Sequence, residues 1–361
     1  MKKFHCERCS ARVFFENVQC ENCHALLGFV PEELGMASFE AGEDGKLQRL
    51  SSSTDHVYRR CANHAAPVSC NWMVRDDDVD PLCRSCRTTE VFPMLSRPEN
   101  GGRWCRIEAA KRRMTYGLLS LQLPIPNKRV DPQHGVAFEF LEETDPNQKV
   151  LTGHDDGRIT LNIAEADDAH REEARTRMHE PYRTLLGHFR HEIGHYYWDR
   201  LIADTPWQEK YRALFGDERA DYAEALKRHY ESPVVDWPGR FISVYASTHP
   251  WEDWAECWAH YMHLWDGLET AASWGLRLDA AVPDTDPVQA RAIDAADADL
   301  RHRIISDWLP ISQFSNAMSR AMGAQDAYPF VMPDPVLEKL EFIHQVVLAG
   351  VRGDSPMNFS V

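Results

Sequence analysis

The chain has 361 residues, 43% hydrophobic and 27% charged, with a formal net charge of −16. That length and apolar content exceed one ordinary core, so two or three units are expected. Residues 1–100 carry 12 basic and 15 acidic side chains and the remainder 28 and 41, so neither part has the basic excess of a phosphate-backbone binder.

The N-terminus, MKKFHCERC, has two lysines but no apolar stretch behind them, so it does not read as a secretory signal. No run of 18 apolar residues follows anywhere, so no membrane span is expected and the cytosol is the default location. Eight of the ten cysteines lie in the first 86 residues. In a reducing compartment such clustering points to metal rather than disulfide. Cys6, Cys9, Cys20 and Cys23 form CxxC, ten residues, CxxC. Two such knuckles supply the four thiolates of a tetrahedral Zn²⁺ site. The stretch between them, with VFF and Val18, suits a short strand pairing back on itself. A segment so short needs the metal's binding energy to fold.

Cys61, Cys70, Cys83 and Cys86 form a second set, less regular because eight residues separate its first pair. His64 is an alternative fourth ligand there. Residues 41–56 are polar and read as a connector between two ribbons, at about 1–40 and 57–95. Residues 1–98 are therefore read as a zinc-ribbon region. Closed four-thiolate sites present surface rather than do chemistry. Protein docking or scaffolding is expected of them, and nucleic-acid contact is the least favoured role. Cys105 and Cys257 read as buried free thiols.

SRPENGGR, residues 96–103, reads as a hinge opening a second domain over 99–361. IEAAKRRMTYGLLSLQL has helical spacing, with Lys111, Arg112 and Arg113 as a solvated face. GVAFEFLEE and GRITLNIAEAD alternate as strands do. DDAHREEARTRMHE is polar and helical or looped. Pro181 suits the first turn of a helix. From there YRTLLGHFRHEIGHYYWDRLIAD runs as one helix with Leu185, Phe189, Ile193 and Tyr196 or Tyr197 on its apolar stripe.

That helix carries the chemistry. His191 and His195 are four apart and project about 40° from each other, so both imidazoles reach one ion. Glu192 sits beside the metal, where a carboxylate takes a proton from bound water. Gly194 between them permits close packing. His188, one turn earlier, reads as a packing residue. A third ligand is expected in HPWEDWAECWAHYMHLWD, where Glu252 and Glu256 are one helical turn apart. Glu252 is read as the ligand and Glu256 as the group that orients an imidazole. Asp199 is another candidate for orienting. Tyr245 and His260 are candidate donors to a developing oxyanion.

These blocks, with YPFV and EKLEFIHQVV after them, resemble the bacterial zinc-binding metallopeptidases, a gluzincin-like group with an N-terminal zinc ribbon. The resemblance covers most of residues 1–350. It implies an α+β chain: four-cysteine zinc-ribbon modules, then a mainly helical zincin-like metallopeptidase domain with a small β-sheet. The family pattern resembles ExxAxxWA here and points to Glu252 as ligand. The 56 residues between His195 and Glu252 are a longer gap than in compact members. The resemblance also implies that GRITLNIAEAD is an edge strand against which a peptide adds, the alternative being an internal strand. The expected function is zinc-dependent peptide hydrolysis with Glu192 as general base. One catalytic and one or two structural Zn²⁺ ions are expected, with a peptide or protein substrate. The alternatives are a non-peptide amidase and an idle metal-binding scaffold whose ribbons recruit a protein partner. Neither a membrane nor nucleic acid is an expected partner.

Overall fold

The computed structural model describes all residues except 1, 43–44, 52–55, 145–149, 151, 179–183, 280–286, 295–296, 298, 355–356, 358 and 360–361. Of residues 174–178 only the backbone is described. The chain divides into two compact units, Met1–His170 and Arg171–Val361.

In the first unit, β1 (Phe4–His5) pairs antiparallel with β2 (Arg12–Val13) across the first CxxC knuckle. Phe14 and Val18 are exposed rather than part of a strand. Five strands follow: β3 (Leu26–Val30), β4 (Gly35–Ala41), β5 (Leu47–Arg49), β6 (Val57–Arg60) and β7 (Met73–Arg75). They form an antiparallel sheet in sequence order. The polar stretch expected to be a connector thus contributes β5. Of its two leucines, Leu47 is buried with Phe39, Tyr58 and Met73, and that contact recruits the segment into the sheet.

The expected hinge at 96–103 is also corrected. A helix, α1, runs from Pro98 to Ser120, and most of the Pro/Gly-rich stretch is its first turns. Proline is well tolerated there because its missing N–H would have no partner in any case. Tyr116 of α1 packs edge-on against Phe15 and Phe29, at centroid distances of 5.5 and 5.8 Å. The basic run on this helix is not solvated either. Lys111 and Arg112 are buried; of the three only Arg113 reaches solvent, where it pairs with Glu16. The Lys111 ammonium lies 3.2 Å from Glu108 and over the rings of Phe138 and Phe140.

A second sheet combines β8 (Thr89–Val91), β9 (Ala137–Leu141), β10 (Gly153–Asp155) and β11 (Arg158–Asn162) in the order β10-β11-β9-β8. The strand expected at an edge, β11, is therefore internal, paired antiparallel to β10 and parallel to β9. Its buried residues Ile159 and Leu161 explain the placement, since an internal strand keeps such side chains dry. Gly157 turns the chain between β10 and β11 with φ +75°. A Cβ there would come within 2.5 Å of the Gly135 carbonyl. Helix α2 (Asp168–Met178) contains the division between units.

The second unit is helical. α3 spans Leu185–Leu201 and is opened by Thr184, whose hydroxyl accepts from the Gly187 N–H. Pro181, the expected first-turn residue, lies outside the described residues. Then come α4 (Gln208–Phe215), α5 (Tyr222–Glu231) and α6 (Pro250–Ser273). A short hairpin of β12 (Arg277–Leu278) and β13 (Val288–Gln289) leads to α7 (Leu300–Arg303), α8 (Leu309–Ala321) and α9 (Asp334–Arg352). The core is the contact of α3 with α6. Phe189, Ile193 and Tyr197 are fully buried on one side, Trp254 and Trp258 on the other. Tyr197 stacks on Trp258 at 5.0 Å. A Cβ on Gly194 would stand 3.1 Å from Ala255 Cα and from two Trp258 atoms, so the bare glycine sets how closely the helices approach. Trp254 Nε1 donates to the Gly194 carbonyl at 2.9 Å. Among the described residues no helix is long and apolar enough to cross a membrane.

Candidate metal centres

Among the described residues, three groups of side chains converge with the geometry of metal ligands. Two are all-thiol. Cys6, Cys9, Cys20 and Cys23 have ligand atoms within 4.8 Å of one another, as do Cys61, Cys70, Cys83 and Cys86. Sulfur separations of 3.6 Å for Cys6–Cys23 and Cys9–Cys20, and 3.8 Å for Cys70–Cys83, match the edge of a tetrahedron around zinc, about 3.8 Å for Zn–S bonds of about 2.3 Å. His64 is not a member; its Nδ1 lies 3.0 Å from the Cys61 carbonyl. All ten cysteines are free of disulfides. Cys257 is buried, as expected, and its thiol faces Asp253, while Cys105 is only half-buried.

The surroundings of the two clusters differ. The first reaches solvent through Cys9 and Cys23. Burial works against the Cys6 thiolate, but the Ser38 hydroxyl and the N–H groups of the knuckle outweigh it and lower its pKa to about 6. The second is fully buried, and so is Arg112 of α1, within electrostatic reach of it. Burial disfavours that cation, yet the charges of Cys70, Cys86, Glu108 and Cys83 hold its pKa above the usual value. A tetrathiolate around Zn²⁺ carries two net negative charges, and Arg112 is placed to offset them in a dry site.

The third group is His191, His195 and Glu252, in the second unit. His191 Nε2 and His195 Nε2 are 3.2 Å apart. Glu252 Oε2 lies 3.0 Å from the first and 3.5 Å from the second. The expected edge for ligands about 2.05 Å from a tetrahedral ion is about 3.3 Å. Helix α3 supplies the imidazoles because positions four apart share a face; α6 brings the carboxylate because Gly194 lets it close in. His249 caps α6, its Nδ1 accepting from the Trp251 N–H at 3.1 Å, which fixes where Glu252 falls in the first turn.

The groups behind the ligands are specific. Glu256 Oε1 accepts from His191 Nδ1 at 2.8 Å, and Ser243 Oγ donates to Glu256 Oε2 at 2.6 Å. With Nδ1 protonated, His191 offers its Nε2 lone pair toward His195 and Glu252. Lone pairs converging this closely in a buried space repel one another unless a cation sits between them, and that is the fit for a metal ion. Burial works against positive charge at His191, but Glu252 and Glu256 override it and hold its pKa well above the ordinary histidine value. A metal therefore competes with a proton for this nitrogen. Burial opposes ionisation of Glu252, yet His195 and His191 keep it well below the usual carboxylate range. The Trp251 ring covers His195 at 3.8 Å.

Glu192 is buried, and its Oε2 has no hydrogen-bond partner. Burial raises its pKa, against the pull of His191 and His195. Tyr245 is half-buried with its ring 5.8 Å from that of His191. His260 is not brought to the cluster: it is buried one turn beyond Glu256, its Nδ1 2.7 Å from the Tyr328 hydroxyl and its ring against Phe330. Neither His188 nor Asp199 belongs to the ligand group, and Glu256 fills the orienting role for His191. Sequence reasoning missed Tyr222, whose hydroxyl donates to Glu252 Oε1 at 2.7 Å, and Ser243. Tyr222 opens α5 behind its cap, Asp221, with no spacing that ties it to His191; nothing in the chain order signals it.

Comparison with known proteins agrees with this geometry. Residues 100–346 match the family described as "Putative zinc-binding metallo-peptidase", and residues 3–97 match a zinc-ribbon domain. Uncharacterized proteins of Mycobacterium bovis and Mycobacterium tuberculosis are each 44% identical to the chain over 350 residues, covering 96% of it and 95% of their own length. No solved structure matches. The chain belongs to the zinc-binding metallo-peptidase family, matched over residues 100–346, and carries a zinc-ribbon domain at residues 3–97.

Proposed function

We propose that the protein is a zinc-dependent peptidase of the HExxH, gluzincin type. The observation that carries this reading is the pairing of a three-ligand cluster with a buried carboxylate, Glu192, that has no hydrogen-bond partner at Oε2. Three protein ligands rather than four mark a site with a place left for solvent or substrate.

His191 Nε2, His195 Nε2 and Glu252 Oε2 would hold the ion. Zinc held there would supply an acidified water, with a pKa of about 7, and would polarise the scissile carbonyl. Glu192 Oε2 is placed to take up a proton beside the ligands and to return it to the departing amine. Its raised pKa suits both transfers, because a base too weakly basic would not hold the proton between them. Glu256 keeps His191 in the tautomer that presents Nε2. Tyr245, its ring 5.8 Å from that of His191, and His260, whose pairing with Tyr328 through Nδ1 leaves Nε2 for the role, are the oxyanion donors read from the sequence. Ten free cysteines in place of disulfides support a cytoplasmic location.

The test is Glu192→Gln, assayed against a peptide library and a panel of small amides. Zinc content should stay at the wild-type level while peptide cleavage falls by about 10²–10⁴-fold. Full cleavage by the metal-loaded variant would overturn the role of Glu192. Turnover of amides but not peptides by the wild type would replace peptidase with amidase.

A further inference from the structure

Glu252 has two oxygens, and only one faces the imidazoles. Oε2 lies 3.0 and 3.5 Å from the two Nε2 atoms. Oε1 points elsewhere and accepts from the Tyr222 hydroxyl at 2.7 Å. The phenol therefore holds the oxygen that is not directed at the imidazoles. Tyr222 is anchored by edge-on contact with His249, the cap of α6, at a centroid distance of 5.4 Å. It also meets Trp251 edge-on at 6.3 Å, the ring that covers His195.

A carboxylate can hold zinc through one oxygen or both. In the two-oxygen mode Oε1 swings onto the ion and occupies the place that solvent needs. We propose that Tyr222 is a positioning residue that keeps Glu252 monodentate, and so preserves the open coordination place on which hydrolysis depends. Chelation by both oxygens would break the 2.7 Å hydrogen bond that the phenol donates to Oε1. Because Tyr222 is 38% exposed, its ring borders solvent, and removing its hydroxyl leaves the packing of the unit in place.

This inference rests on the metallopeptidase reading of the site but is tested apart from it. A mild chelator empties the His–His–Glu site while the thiolate clusters keep zinc, and Co²⁺ is then placed in the emptied site. Four-coordinate Co²⁺ absorbs visible light several-fold more strongly than five-coordinate Co²⁺. Wild type should give the intense four-coordinate spectrum. Tyr222→Phe should give a spectrum weakened several-fold, with unchanged circular dichroism, and should bind zinc at this site about 10–100-fold more weakly in a competition titration. A Tyr222→Phe spectrum and zinc affinity equal to wild type would overturn the clamp. Should the wild type cleave no peptide while the spectrum still shifts in Tyr222→Phe, the clamp stands and the peptidase reading fails.

Discussion

The thiolate clusters of the first unit and the His–His–Glu cluster of the second both present donor sets suited to zinc, but they are built differently. The Cys61 cluster has four buried ligands, with a buried cation, Arg112, within electrostatic reach of them. It is complete without solvent. The His191 cluster has three ligands, and the groups near it are a carboxylate, Glu192, and phenols that can donate or accept protons. The difference lies in ligand number and in what stands behind the ligands. Four thiolates close a site and leave it only structural work, whereas two imidazoles and one carboxylate leave a place open, here with the Glu192 carboxylate beside it.

The largest effect should come from opening the closed site. Cys61→Ser removes one of four ligands, and structural zinc of this kind contributes about 10–16 kcal/mol of apparent binding energy. The variant should lose one zinc per chain and the cooperative melting of the first unit, read by metal analysis and limited proteolysis. A full zinc complement and an unchanged melt would show that the Cys61 cluster is not a zinc site. Arg112→Met comes next. It takes away the cation within reach of the thiolates and should destabilise the first unit by about 3–5 kcal/mol, seen as a lower midpoint in denaturant. An unchanged midpoint would mean the cluster's charge is offset elsewhere. The smallest of the three is Glu256→Gln in the open site. The His191 Nδ1 hydrogen bond weakens, and zinc affinity there should drop about 10–100-fold with the thiolate sites untouched. An equal loss at all three sites would mean the change acts on folding rather than on His191.

The features legible in the sequence were those set by short spacing. CxxC pairs, the four-residue step from His191 to His195, and Glu252 one turn before Glu256 all place ligands through local geometry. Zinc, the α+β class and the family followed from them. What failed was long-range. Lys111 and Arg112 looked like a solvated face because a charged run normally is one; only the sheet and thiolates packed on α1 bury them. Residues 41–56 looked like a linker because Leu47 alone carries the signal for β5. The strand at 158–162 is internal where the resemblance implies an edge, and its alternation cannot decide between the two because it does not reveal what pairs on either side. Tyr222 reaches Glu252 from 30 residues away along the chain, and no motif records that approach.

The central claim is that one ion is gripped by His191, His195 and Glu252 while two others sit in thiolate sites. Zinc per chain, measured by mass spectrometry of the metal content of wild type and His191→Ala purified side by side, tests it most directly. Three per chain in the wild type and two in the variant is the result this account requires. Two in both would contradict it, because the His–His–Glu cluster would then hold no zinc at all.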